Sequence, residues 1–184
     1  SEGRNRQLEG LEDERCVWFG DIPEHVEIDE LGVKFQVPLL GGQKTGHFFD
    51  QTENRAWAGQ RCAGKTVLDV YANGAGWALH ALHNGAKHAV AVDKSPDCAT
   101  MMTQNAALNG VTDRLDIVQA EGKKFLTQLC MESQQFDVVM LDPPAFAKTR
   151  KAANSALRGY TEVNKLGLQL TAAGGLFFTS SCSF

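Results

Sequence analysis

From Thr66 onward, short apolar runs alternate with longer segments of helical character. Thr66-Val67-Leu68-Asp69-Val70, Ala89-Val90-Ala91-Val92-Asp93, Leu115-Asp116-Ile117-Val118, Phe136-Asp137-Val138-Val139-Met140-Leu141 and Gly175 to Ser180 read as five strands. They are short, rich in branched residues and nearly continuous in hydrophobicity, as strands buried on both faces are. Helices are predicted between them over Trp77 to His83, Pro96 to Asn109, Lys123 to about Glu132, and Tyr160 to Thr171. Ser95 is the expected N-cap of the second of these, with Pro96 at its first position and Gly110 just past its end. Repeated strand–helix units imply a parallel sheet with helices on both faces. Ahead of this pattern the chain differs. Cys16 to Phe19, Val26 to Ile28 and Val33 to Val37 alternate in short pieces punctuated by Gly20, Pro23, Gly32 and Pro38. They predict a small β-rich lead-in, followed by a polar helix over Asp50 to about Gly59.

The fourth strand of the repeat ends in Asp142-Pro143-Pro144-Ala145-Phe146. Proline has no N–H for a ladder, so the two prolines end the strand and stiffen the loop behind it. The Asp142 carboxylate is left at the carboxyl end of a strand, where open α/β sheets bind ligands. The first strand runs into Asp69-Val70-Tyr71-Ala72-Asn73-Gly74-Ala75-Gly76, whose glycines allow close approach of a ligand to the backbone. Asp93 ends the second strand, where a carboxylate can accept from a ribose diol, and Glu121 follows the third. Acids and glycines thus converge on one nucleotide-type crevice. Two rival motifs fail. A dinucleotide fingerprint requires a glycine where Leu79 stands. Gly59-Gln60-Arg61-Cys62-Ala63-Gly64-Lys65-Thr66 matches a Walker A pattern, but helix precedes it and strand follows, the reverse of a phosphate loop. It reads as a chance match.

Composition narrows the picture further. With 184 residues and ordinary apolar content, one domain-sized core is expected. No apolar run approaches the roughly 20 residues of a membrane span, so no membrane partner is expected. The five cysteines are scattered, with no Cys-x-x-Cys pair. That argues against a disulfide framework or a metal site, and for a cytoplasmic location. No charged-then-apolar leader opens the chain. A formal charge of −4 argues against wholesale electrostatic binding of nucleic acid. Lys148, Arg150, Lys151, Arg158 and Lys165, against the single acid Glu162, still form a local basic segment after Asp142-Pro143-Pro144. Such runs are commonly solvated loops, but this one is placed to contact phosphates. The chain starts at Ser1 without Met and stops at Phe184 directly after a strand, so a piece of a longer protein is expected.

Four separated segments occur in an order that resembles a known family. Gly42-Gln43-Lys44-Thr45-Gly46, Asp50-Gln51 with Asn54-Arg55, Asp142 through Lys148, and Ser181-Cys182-Ser183 resemble the class I S-adenosylmethionine-dependent methyltransferases that form 5-methylcytosine in 23S ribosomal RNA. The likeness runs from about Arg6 to the end. It implies a Rossmann-like class I fold with five of seven strands present. Residues 1–45 would be the remnant of a preceding domain, and 46–184 a truncated methyltransferase domain. Full-length members carry an N-terminal RNA-binding domain and two further strands.

By the same resemblance, the stretch with Thr45, Asp50 and Gln51 would hold the methionine end of S-adenosylmethionine. Asp69, Ala72, Asn73, Gly74 and Gly76 would form its main loop. Asp93 with Lys94 would take the ribose, and Glu121 with Gly122 the adenine side. Asp142 would orient the target base and Cys182 would be the nucleophile. Pro143, Pro144, Phe146, Lys148, Arg150 and Lys151 would meet an RNA substrate. His47 and Thr52 stand where the family carries an aromatic and an arginine, and Glu121 where an aspartate is more usual.

The chemistry agrees with that implication. Carbon 5 of a pyrimidine becomes nucleophilic once a thiolate has added at carbon 6, so a cysteine is wanted, with a carboxylate at the ring. An amino-group methyltransferase, which needs no cysteine, is the alternative enzyme. Ala145 between Pro144 and Phe146 counts against its motif. A non-catalytic cofactor- or RNA-binding module is a third possibility. The chain taken alone is expected to bind cofactor, to transfer no methyl group, and to pair as a homodimer through its last strand.

Overall fold

The computed structural model describes residues 8–10, 17–39, 46–146 and 153–181. A hairpin of β1 (His25–Glu30) and β2 (Val33–Pro38) comes first. A 3-10 turn, Phe49–Gln51, leads into α1 (Thr52–Gly59). The repeat follows as β3 (Thr66–Val70), α2 (Gly76–His83), β4 (His88–Asp93), α3 (Pro96–Leu108), β5 (Leu115–Gln119), α4 (Gly122–Met131), β6 (Phe136–Leu141), α5 (Ala153–Leu170) and β7 (Thr171–Thr179). The sheet is parallel in the order β5-β4-β3-β6-β7. Among the described residues no helix is long and apolar enough to cross a membrane.

The central position of β3 follows from its burial. Val67, Leu68, Asp69 and Val70 are all fully buried, which only a strand paired on both edges and covered on both faces achieves. One face packs under α1, α2 and α3, with Ala78, Leu79, Leu82 and Met102 in the cluster. The other packs under α4 and α5, with Leu126, Val163 and Leu170. Register aligns the carboxyl ends: Val70 pairs with Val92 of β4 on one side and with Leu141 of β6 on the other. α3 begins as expected, with Ser95 Oγ accepting from the Cys98 N–H at 3.4 Å and Pro96 in the first turn. β7 starts earlier than predicted and contains no fully buried residue. Among the described residues it pairs only with β6, so it forms a sheet edge. The strand expected over Cys16 to Phe19 is not found. Cys16 lies outside the described residues, Val17 has no regular structure, and Trp18 to Gly20 form a bend with Trp18 and Phe19 almost fully exposed. With no strand partner among the described residues, alternation alone does not make a strand.

The hairpin turn places Leu31 (φ 54°) and Gly32 (φ 87°) in the left-handed region, the geometry of a two-residue type I′ connection. Its inner face (Val33, Phe35, Val37) joins the same core as α2 and β3. Beside it lies a buried polar knot. Glu30 accepts from Arg55 Nε (2.8 Å) and Nη2 (2.6 Å), from His47 Nε2 (2.7 Å), His80 Nε2 (2.9 Å) and Thr52 Oγ1 (2.7 Å). Burial pushes the Glu30 carboxyl up, but the bonds from His47, His80, Arg55 and Thr52 outweigh it and hold the group well below the ordinary carboxylate range. One carboxylate therefore ties the hairpin, the segment before α1, α1 itself and α2 together.

Removing a partner from such a pair leaves the other charge buried and uncompensated. Glu30→Ala is expected to lower unfolding free energy by about 3–5 kcal/mol in urea titrations. A loss below about 1 kcal/mol would show that Arg55 finds water or another acceptor when Glu30 is removed.

Candidate functional site

The loop after β3 is held under strain. Tyr71 (φ 68°), Asn73 (φ 52°) and Ala75 (φ 63°) all take left-handed backbone without being glycine. Each such residue costs on the order of 1–3 kcal/mol, and persists only where its surroundings hold it. The ties are visible. The N–H groups of Tyr71 and Ala72 both donate to Val92 O (2.9 and 3.0 Å), and Asn73 N–H donates to Asp93 Oδ2 (3.0 Å). Gly74 and Gly76 are not at positive φ; they supply room. A Cβ at Gly76 would meet Arg55 Cδ at 2.8 Å, and one at Gly74 would meet Asn105 Nδ2 at 3.1 Å. The loop's glycines are therefore a packing requirement, and its unusual conformations fall on Tyr, Asn and Ala.

A crevice of about 1440 Å³ opens above the carboxyl ends of β3, β4 and β6. Asp50, Gln51, Ala72, Asn73, Gly74, Gly76, Asp93, Lys94, Glu121, Gly122, Asp142, Pro143, Pro144 and Phe146 all line it. Thr45, Lys148, Arg150, Lys151 and Cys182 lie outside the described residues. Asp69 does not line the crevice; it is fully buried within β3.

The acids of the crevice are oriented by specific donors. Asp93 takes the Asn73 N–H on one oxygen and the Ser95 N–H (3.0 Å) on the other. A carboxylate has about four acceptor sites, so capacity remains for a ligand diol. Glu121 is the N-cap of α4, accepting from the N–H groups of Lys123 (3.1 Å) and Lys124 (3.0 Å). Beside it, a Cβ at Gly122 would meet the Tyr71 ring at 2.7 Å. Asp142 is clamped from two elements: Trp77 Nε1–H of α2 donates to Oδ2 (3.3 Å), and the Ser180 hydroxyl, just past β7, donates to Oδ1. Phe146 packs against Tyr160 (centroids 4.6 Å apart) in a notch that Gly159 leaves open.

The sequence did not single out Trp77, Ser180 or Asn105, and it marked Arg55 only as part of a family segment, with no role in the site. For Ser180 the signal lies in strand pairing: it directly follows β7, which pairs with β6, the strand that leads into Asp142. The Walker-like stretch lies at the amino end of β3, away from the crevice. Its residues have structural work there: a Cβ at Gly59 would meet His80 O at 2.7 Å, and the Thr66 N–H and hydroxyl donate to Asp137 Oδ2 (2.8 and 2.9 Å).

Asp69 is the electrostatic anomaly. Its Oδ2 accepts the Ala78 N–H of α2 (3.0 Å), while Oδ1 has no partner among the described residues. Burial raises its pKa to about 7, opposed by the Ala78 N–H and aided by the negative charge of Asp142. Folded protein then keeps a proton that unfolded chain has released, so stability falls as pH rises from about 4 to about 7. Asp69→Asn retains an acceptor for Ala78 and cannot titrate. Its urea midpoint relative to the parent is expected to climb over that interval and level off above it; a pH-independent difference would contradict the assignment.

The comparisons with known proteins agree with the geometry. The family model described as S-adenosylmethionine-dependent methyltransferase matches residues 2–179. The ribosomal RNA large subunit methyltransferase I of Aeromonas hydrophila is 40% identical over 181 residues, covering 97% of this chain and 46% of the relative. That of Aeromonas salmonicida is 38% identical over 180 residues, with the same coverage. The chain therefore spans about half the length of the curated relatives it matches. The crystal structure of SMU.776 complexed with SAH shares the fold, with a TM-score of 0.79 at 24% identity over 90% of this chain and 44% of that one. Strained loop, strand-end acids and family match converge: this chain belongs to the S-adenosylmethionine-dependent methyltransferases.

Proposed function

We propose that this chain is the cofactor-binding and catalytic part of an enzyme that methylates large-subunit ribosomal RNA, forming 5-methylcytosine through a cysteine adduct. The observation that carries the reading is the clamped carboxylate of Asp142 at the mouth of the crevice. It is supported by the names of the relatives, which are ribosomal RNA methyltransferases. The residues present suit the cofactor. The loop over Tyr71–Gly76 would hold the methionine end together with Asp50 and Gln51, Asp93 would take the ribose hydroxyls, and Tyr71 with Gly122 would flank the adenine. When bound, S-adenosylmethionine supplies an electrophilic methyl group and departs as S-adenosylhomocysteine. Ligand clefts commonly enclose about 300–1,000 Å³. A crevice of about 1440 Å³ has room for a nucleotide beside the cofactor.

The target base would have to be unpaired or flipped to enter. Trp77 and Ser180 both donate to Asp142, which leaves its carboxylate oriented to accept from the exocyclic amino group of a cytosine. Cys182 follows Ser180 by two residues, a reach of at most about 7 Å along the chain. A thiolate from Cys182 would add to carbon 6, forming an S–C bond and making carbon 5 nucleophilic. After methyl transfer, carbon 5 loses its proton to a base, the S–C bond breaks and the thiolate is restored. Phe146 and the segment bearing Lys148, Arg150 and Lys151 would meet the surrounding RNA by stacking and phosphate contact.

Calorimetry with S-adenosylhomocysteine tests the cofactor site directly. Asp93→Ala is expected to weaken binding by about 10- to 100-fold, the loss associated with hydrogen bonds to a charged group. Unchanged affinity would remove Asp93 from the site. In a protein carrying this chain at the full length of its relatives, Cys182→Ala should keep S-adenosylhomocysteine binding and lose methylation of large-subunit ribosomal RNA. An active Cys182→Ala enzyme would discard the adduct and favour amino-group methylation.

A further inference from the structure

Among the described residues, the edge of β2 away from β1 is covered by side chains rather than by a strand. β1 pairs with one edge of β2. On the other, Lys34 N–H donates to Asn109 Oδ1 (2.9 Å), Asn109 Nδ2 donates back to Lys34 O (2.7 Å), and Gln36 N–H donates to Asn105 Oδ1 (2.8 Å). Asn105 in α3 and Asn109 at its C-cap stand four residues apart, hence on one face, about 6 Å along the axis. Two strand residues advance by about 6.7 Å. The helix therefore presents one carboxamide per outward-facing β2 residue, as a neighbouring strand would.

The two amides differ in their second partner. Asn109 closes a reciprocal pair with Lys34 and also donates to the backbone carbonyl of Asn105 (2.8 Å), within its own helix turn. Asn105 accepts from Gln36 but turns its amino group away from the strand and donates to Gly74 O at 3.0 Å. The orientation of the Asn105 amide is unambiguous, because Gln36 N–H can only donate and Gly74 C=O can only accept. Asn105 is fully buried. Gly74 belongs to the strained loop, flanked by Asn73 and Ala75 in left-handed conformation. We propose that Asn105 is a positioning residue: it holds the cofactor loop in its binding conformation through Gly74 and links that loop to the N-terminal hairpin through Gln36. The inference rests on the reading of the crevice as the S-adenosylmethionine site. Asn105 borders the crevice, but its carboxamide is engaged by Gln36 and Gly74, so it acts through the loop.

Asn109 provides an internal comparison, since it performs the same edge-covering task without a bond to the loop. In the 184-residue chain, Asn105→Asp removes the donor to Gly74 and keeps the acceptor for Gln36. It is expected to weaken S-adenosylhomocysteine at least tenfold by calorimetry. Asn109→Asp removes the donor to Lys34 O and to the Asn105 backbone carbonyl but leaves the Asn105 carboxamide and its bond to Gly74 in place; it should lower the melting temperature and change affinity less than twofold. Hydrogen exchange on the parent gives a readout that needs no variant to fold: S-adenosylhomocysteine should slow exchange at the Gln36 amide more than at the Lys34 amide. Affinity of Asn105→Asp within twofold of the parent, equal weakening by both variants, or equal protection at both amides would overturn the proposal. A parent chain that binds no S-adenosylhomocysteine would instead overturn the cofactor reading beneath it.

Discussion

Pairing of β3 on both edges is the constraint from which the site follows. Because Val70 is in register with Val92 and Leu141, the residues leaving three strands emerge at one level. Tyr71 begins the strained loop, Asp93 ends one neighbour and Asp142 follows the other. Shifting either pairing by one residue would turn every side chain of that strand to the opposite face. The buried valines and leucines of these strands oppose such a slip, and so indirectly hold two carboxylates on either side of the loop. The crevice is a property of the register before it is a property of any one residue.

Two polar devices then attach the rest of the molecule to that frame. Glu30 collects donors from Arg55, His47, His80 and Thr52, so the hairpin cannot leave without exposing or stranding a buried charge. Arg55 in turn fills the space beside Gly76 at the start of α2. On the other side, Asn105 and Asn109 cover the hairpin's free edge. The hairpin is thus bonded to the elements on both flanks of the strained loop after β3, and its apolar face lies in the same core. Each device uses groups that would be costly to bury alone, which favours one arrangement over nearby alternatives.

Much of this was legible in the sequence, for local reasons. β3 and β6 carry enough consecutive branched and apolar residues to fix their bounds, and two prolines end β6 without ambiguity. Ser95-Pro96 marks a helix start because cap and first turn are local chemistry. Asp93 and Asp142 could be singled out because their importance follows from being the last carboxylate of a strand. The polar knot could not be read, since Glu30 meets His80 across fifty positions and no period or motif announces it. The loop glycines were read as letting a ligand approach the backbone; Gly74 and Gly76 also make room for Asn105 and Arg55, long-range neighbours that spacing does not reveal. Trp18 and Phe19 fall in a segment patterned like a strand but pair with no strand among the described residues, and tertiary context overrode pattern there. The early start of α5 at Ala153 reflects good helix formers, Ala and Leu, extending a helix whose first apolar anchor was placed later.

The central claim is that the crevice above β3, β4 and β6, and not the Walker-like stretch at the amino end of β3, is where the nucleoside cofactor binds. Titrating an isotope-labelled chain with S-adenosylhomocysteine and following its backbone amide resonances tests this most directly. The account predicts shifts concentrated at Tyr71–Gly76, Asp93–Ser95 and Glu121–Lys123, with Gly59–Thr66 unmoved. Shifts centred on Gly59–Thr66, with the loop after β3 unaffected, would contradict it.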